Sequence, residues 1–237
     1  MKRKNVFLLL VICSVFQSVF SQRNDFINKT LENLSSELRF GNGRSVYYGT
    51  AEIDANIEGS EYMDENFVNG DIFTLEYEHF SNIPMRYNAY LDSLEVKLAD
   101  GIIYNLTDLS KIMHILLGGK VMVYTTFISA NQKSTGFLFE LYNGKSSLYC
   151  RNNKILKERI PSNGIIPEVP PKIIDKPNEF YIRLNDGLPH IFSSKKDLLE
   201  LLKSHSKEIE IFVKKEKIKI KKDDDIIKVL TYYDSLK

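Results

Sequence analysis

The sequence predicts an α+β fold: an antiparallel β-rich meander forming a curved sheet, followed by a short C-terminal helical unit. Three observations predict it. Apolar and polar residues alternate with period two, as where Phe73, Leu75 and Tyr77 interleave with Thr74, Glu76 and Glu78. Turn dipeptides such as Asp100-Gly101, Gly118-Gly119 and Asn143-Gly144 punctuate that alternation. After Phe192 the period changes to that of a helix, with Leu198, Leu199, Leu201 and Leu202, then Ile209, Phe212 and Val213, then Ile226, Ile227, Leu230 and Tyr233. The chain has 237 residues and is 43% hydrophobic, enough for one sizeable core without covalent staples. Its 32 Lys and Arg nearly balance 31 Asp and Glu, for a net charge of +1, which argues against a nucleic-acid partner.

The first segment reads as an address. Lys2, Arg3 and Lys4 precede an apolar run from Val6 to Phe16, and Val19-Phe20-Ser21 leads to a cleavage point before Gln22. Residues 1–21 are therefore expected to be a signal peptide. The run is too short and too interrupted for the ~20 apolar residues of a membrane span, so no transmembrane segment is expected in the mature chain. The protein is expected to be exported, to a periplasm or to the cell surface and beyond. Loss of Cys13 with the signal leaves Cys150 alone, and it reads as a small core hydrophobe.

Residues 22–45 are expected to form an N-terminal helix or a flexible leader, since Ile27, Leu31, Leu34 and Leu38 recur at helical spacing before Gly41-Asn42-Gly43. An antiparallel β domain is expected over 46–160. Within it, Asp54, Asn56, Glu58, Gly59 and Glu65 fall at the oxygen and glycine positions of an EF-hand-type loop. Neither flank reads as a long helix, which favours a polar loop leading into a strand. The most legible hairpin follows, from Pro84 to Leu98. A two-residue Asp92-Ser93 loop would pair Leu91 with Leu94, Ala89 with Val96 and Tyr87 with Leu98 on an apolar face. The other face would then set Tyr90 opposite Glu95 and Asn88 opposite Lys97, with Arg86 beyond. Lys120–Ser129 is apolar on both faces and is expected to be a covered, central strand. The Asn143-Gly144 hairpin would pair Phe139 with Leu148 and Phe137 with Cys150.

Five prolines between Pro161 and Pro177 mark an extended crossing segment, 161–178, whose isoleucines should lie against the body. Residues 179–237 are expected to be a hairpin plus helices packed on the β domain. Ser193-Ser194 can cap the first helix and Asp223 or Asp224 the last. The lysine run from Lys214 to Lys222 and the acidic trio after it read as solvated helix-end decoration.

Local catalytic signals are sparse. His79, His114, His190 and His205 show no ligand spacing, and the chain has neither a Gly-rich phosphate loop nor a GxSxG elbow. No cofactor, metal site or catalytic residue is assigned. Arg86, Tyr90 and Glu95 are an acid–base trio in kind, but a cross-strand ladder of such residues is the commoner arrangement. Arg86, Asn88 and Tyr90, on the outward face of the hairpin, are the binding candidates.

Gly59-Ser60-Glu61-Tyr62 with Phe67, Met85-Arg86-Tyr87-Asn88-Ala89-Tyr90, Glu95 and the terminal Leu230-Thr231-Tyr232-Tyr233-Asp234-Ser235-Leu236 together resemble a group of exported Bacteroidota proteins of unknown function. The resemblance implies an envelope or secreted location and brings no activity with it. The combined expectation is a non-catalytic envelope protein that binds another protein or a surface component. Two alternatives stand beside it: a hydrolase of cell-wall or glycan material with a site assembled from distant residues, and a carrier of an apolar ligand within the curved sheet.

Overall fold

The computed structural model describes residues 29–42 and 57–236, apart from 36, 163 and 166. Residues 1–21, expected to be a signal peptide, and Asp54 and Asn56 of the calcium-like stretch, lie outside the described residues. Helix α1 (29–35) places Leu31 and Leu34 in the core, with Leu38 just beyond, as their spacing requires.

Strands β1 (Phe40–Asn42), β2 (Val68–Thr74), β3 (His79–Asn88), β4 (Ser93–Lys97), β5 (Ile103–Leu106), β6 (Ile112–Leu117) and β7 (Lys120–Ser129) form the first part of an 11-stranded sheet. β8 (Gln132–Asn143), β9 (Ser146–Arg151), β12 (Glu179–Leu184) and β13 (His190–Phe192) complete it. The order is β1-β5-β4-β3-β2-β6-β7-β13-β12-β9-β8, and β8 also pairs with β7. That extra pairing closes β7, β13, β12, β9 and β8 into a ring, a small barrel extended on one side by an open, curved sheet. The seam is thin: β13 meets β7 in parallel at His190 and Ile128 alone, supported by the Ile128 N–H donating to the Pro189 carbonyl at 2.8 Å.

β7 is central, as its two apolar faces predict. Met122 and Tyr124 join the core beneath the open sheet, whereas Val123 and Phe127 point into the ring with Leu138, Tyr149, Tyr181 and Ile191. The outer face of β9, β12 and β13 carries Leu148, Cys150, Phe180, Ile182 and Phe192, covered by α2 (Lys195–Leu201), α3 (Ser206–Lys215) and α4 (Asp223–Ser235). The late hairpin is thus a ring member, and the helices close its outer side.

Three local expectations are corrected. The Pro84–Leu98 hairpin pairs Met85 with Val96, Arg86 with Glu95, Tyr87 with Leu94 and Asn88 with Ser93, so Ala89–Asp92 form a four-residue loop. The offset from the expected register is even, so each side chain keeps its face while its partner changes. In the β8–β9 hairpin Phe139 faces Cys150, and a bulge at Leu141 resets Tyr142 onto Leu148. The proline-rich segment is in part a strand: β11 (Lys172–Asp175) pairs with β10 (Lys154–Lys157) in a separate ribbon, with Ile160 and Val169 bridged further out. Pro171 is buried at its base, but Ile160, Ile165 and Val169 face solvent instead of the body.

Helix ends follow local chemistry. The Ser194 hydroxyl accepts from the Asp197 N–H while the Asp197 carboxylate accepts from the Ser193 and Ser194 N–H groups, a complete capping box. At α4 the cap position is Lys222, not an aspartate; Asp223, Asp224 and Asp225 occupy the first turn, where the helix dipole favours anions. No described helix is long and apolar enough to cross a membrane.

Candidate functional site

The candidate site forms where the segment Ser60–Phe67 crosses β3 and β4. Tyr62 bridges Asn88 in antiparallel fashion, the Met63 N–H donates to the Tyr87 carbonyl at 3.0 Å, and the Ala89 and Tyr90 N–H groups donate to the Glu61 carbonyl at 2.9 and 3.2 Å. Gly59 can pass only because it lacks a side chain: its φ is +85°, and a Cβ there would collide with the Ile173 carbonyl of β11.

This crossing surrounds Arg86. Its guanidinium carbon lies 3.6 Å from the Tyr62 ring centroid and 4.6 Å from that of Phe67. Nε and Nη2 donate to Glu95 Oε2 at 2.8 and 2.7 Å, Nη2 also to the Tyr62 hydroxyl at 2.9 Å, and Nη1 to the Glu65 carbonyl at 3.0 Å. The Tyr62 hydroxyl donates to Glu95 Oε1 at 3.2 Å, so both carboxylate oxygens are engaged. Burial and the neighbouring Glu61 and Glu95 carboxylates hold the Tyr62 phenol well above the usual tyrosine range, against the opposing pull of Arg86. Side-chain exposure is 14% for Arg86 and 5% for Glu95, so the pair is an interior charge-assisted fork. The expected surface ladder of Tyr90 with Glu95 does not occur; Arg86 and Tyr62 take those places.

The three binding candidates separate. Arg86 forms the floor of an open groove of about 460 Å³ lined by Ile57, Gly59, Ser60, Glu61, Tyr62, Glu65, Asn66 and Ile173. Asn88 is buried, and its Oδ1 accepts from the Tyr90 and Leu91 N–H groups to hold the hairpin loop. Tyr90 is half-buried in that loop. Only Arg86 of the three reaches the groove. A larger hollow of about 930 Å³ lies between Leu31–Phe40 and Leu98–Lys111, apart from this network.

A second polar knot ties the open sheet to the ring. Asp92, at φ 53°, accepts from the Tyr87 hydroxyl at 2.6 Å, from Arg151 Nη2 at 2.8 Å and from the Phe137 N–H at 3.3 Å. Gly136 makes room for it, since a Cβ would strike the Asp92 carboxylate. Burial first, then Asp92, pushes the Tyr87 phenol up. A third knot uses Asp234 of α4, which accepts from the Ser146 N–H at 3.0 Å and the Tyr142 hydroxyl at 3.0 Å.

Residues that carry the sequence resemblance are thereby drawn into all three knots: Tyr62, Phe67, Arg86 and Glu95 in the first, Tyr87 in the second and Asp234 in the third. Asp92 and Arg151 were not legible as partners, because 59 residues separate them and neither sits in a recognisable spacing. Among the described residues no group of three or more His, Cys, Asp or Glu side chains could hold a metal ion. Cys150 lies under the helices, and burial pushes its thiol up to about 12. The chain matches no family model, no curated protein and no solved structure.

Proposed function

We propose that this chain is an exported, non-catalytic protein that binds another protein or an envelope component through the groove above Arg86. One observation carries the reading: the groove is floored by a fork whose acid, base and phenol are bonded to one another. Glu95 and Tyr62 accept from Arg86 at 2.7 to 2.9 Å, and the Tyr62 hydroxyl donates to Glu95 at 3.2 Å. Glu95 Oε2 accepts twice from Arg86 and Oε1 from Tyr62, and its side chain is 5% exposed, so the carboxylate is committed to interior partners and is not presented to a substrate proton as a general base needs. What the network supplies instead is rigidity. The partly open wall of Ser60, Glu61, Glu65 and Asn66 is held on a fixed frame, which lowers the ordering cost of binding.

The carrier reading loses support from the ring. Phe127, Leu138, Tyr149 and Tyr181 are at most 1% exposed and fill its interior, so Phe127, one of the aromatics that suggest a carrier, is core packing there. Crosslinking in living cells at native expression, followed by purification of the full chain and mass spectrometry, tests the proposal. A reproducible partner at near-stoichiometric yield is expected; recovery of background proteins alone would remove the binding reading.

A further inference from the structure

We propose a second contact surface at the far end of β3: the β2–β3 turn with the start of β6 forms a protein-docking knob for a partner offering an apolar socket rimmed by lysine or arginine. It goes beyond the groove reading, lying some seven residues along β3 from Arg86, on the order of 20 Å at strand rise.

Four observations converge there. Tyr77 is 90% exposed and sits at φ 65°, the left-handed region that glycine or asparagine takes at little cost and a bulky aromatic does not. No burial of its ring offsets that conformation. The turn is nonetheless held firmly: the Thr74 N–H donates to the Glu78 carbonyl at 3.0 Å, the Tyr77 N–H to the Thr74 carbonyl at 3.1 Å, and the Glu78 N–H to Thr74 Oγ1 at 3.1 Å, with Thr74 itself buried. A strained aromatic on a rigid, anchored tip is a preorganised anchor.

Apolar neighbours extend it. Leu75 is 56% exposed, and its N–H donates to the Lys111 carbonyl at 2.8 Å, bringing the turn against the start of β6. Met113, the residue skipped where β6 shifts register between Ile112 and His114, is 39% exposed. Beside them Phe73 is stacked between His79 and His114, at 4.3 and 4.4 Å between centroids, a row of face-to-face rings across three strands.

Charge selects the partner. Glu76 and Glu78 flank Tyr77 and make no ion pair with a described residue, and Asp71 is held by His79 at 3.1 Å. Lys111 directs its ammonium to the Glu37 carbonyl at 3.2 Å. An apolar tip flanked by carboxylates repels an anionic lipid surface and fits a cation-rimmed socket.

The test pans random displayed dodecapeptides on the full mature chain and counter-pans them on Tyr77→Gly. Surviving peptides should carry aromatic or aliphatic residues between lysines or arginines, bind wild type about tenfold or more tighter than Tyr77→Gly, and lose affinity for Glu76→Lys/Glu78→Lys. The melting temperature of Tyr77→Gly should hold or rise, since glycine relieves the turn. Survivors without basic excess, no survivors, or a Tyr77→Gly variant that melts lower would overturn the proposal. So would binding to anionic vesicles, or self-association that Tyr77→Gly dissolves. Groove variants Glu65→Lys/Asn66→Lys should leave this binding unchanged, which separates its failure from that of the groove.

Discussion

A guanidinium held between two rings and bonded to a carboxylate, a phenol and a carbonyl has exchanged water for fixed partners, and removing it strands Glu95. Arg86→Ala should therefore cost about 3–5 kcal/mol in urea denaturation, and Arg86→Lys should recover only part, because an ammonium can match neither the two-nitrogen bond to Glu95 nor the stacking on Tyr62 and Phe67. Cys150 gives a second expectation at this scale. Its folded pKa is raised from 9.0 to about 12, so as pH rises the unfolded chain ionises first and stability is lost across that window. Cys150→Ala should flatten the alkaline fall in melting temperature. The buried thiol should also react with a maleimide only as fast as the chain opens. Arg86 and Glu95 stood out in the sequence as part of a dense polar pattern with Tyr90, and Tyr62 only within the family resemblance. Their pairing was not legible, because Tyr62 enters from a segment that no hairpin rule connects to β3.

At the scale of elements, the start of α2 depends on two side chains. Ser194→Ala should cost about 1 kcal/mol. The Ser193 N–H and the Ser194 hydroxyl hold the Asp197 carboxyl below the usual range, so its contribution is present above the ordinary carboxylate value and disappears as pH falls through the folded value. Acid titration of stability should thus be shallower for Asp197→Asn than for wild type. This cap was readable from Ser193-Ser194 because capping is local. The two-residue turn at Gly118-Gly119 was readable for the same reason: both glycines have positive φ and Leu117 faces Lys120. The hairpins at Ala89–Asp92 and Gly144–Lys145 were misplaced in register because side-chain bonds outside the ladder decide them: Asn88 capping the loop and Asp92 reaching Arg151 and Phe137 in one, Asp234 reaching Ser146 in the other. The β7–β8 hairpin was missed because Ala130 and Asn131 both adopt left-handed φ at a pair with no glycine.

Over the whole molecule, the fold class could be read from periodicity, but the closure of β7, β13, β12, β9 and β8 could not. Ring closure joins strands far apart in sequence, and its seam rests on His190 and Ile128. The helical layer is tied back by Asp234, which reaches Tyr142 and Ser146 across 92 and 88 residues. Asp234→Ala should leave the buried Ser146 N–H without its carboxylate, cost about 2 kcal/mol, and speed proteolytic loss of α4. The groove stands on this frame, with a buried fork below and exposed side chains above. The most direct measurement compares partner capture and melting temperature for wild type and Glu65→Lys/Asn66→Lys. These rim side chains are exposed, so the melting temperature should stay within a degree or two while capture falls about tenfold or more. Undiminished capture by a fully folded rim variant would contradict binding at the groove.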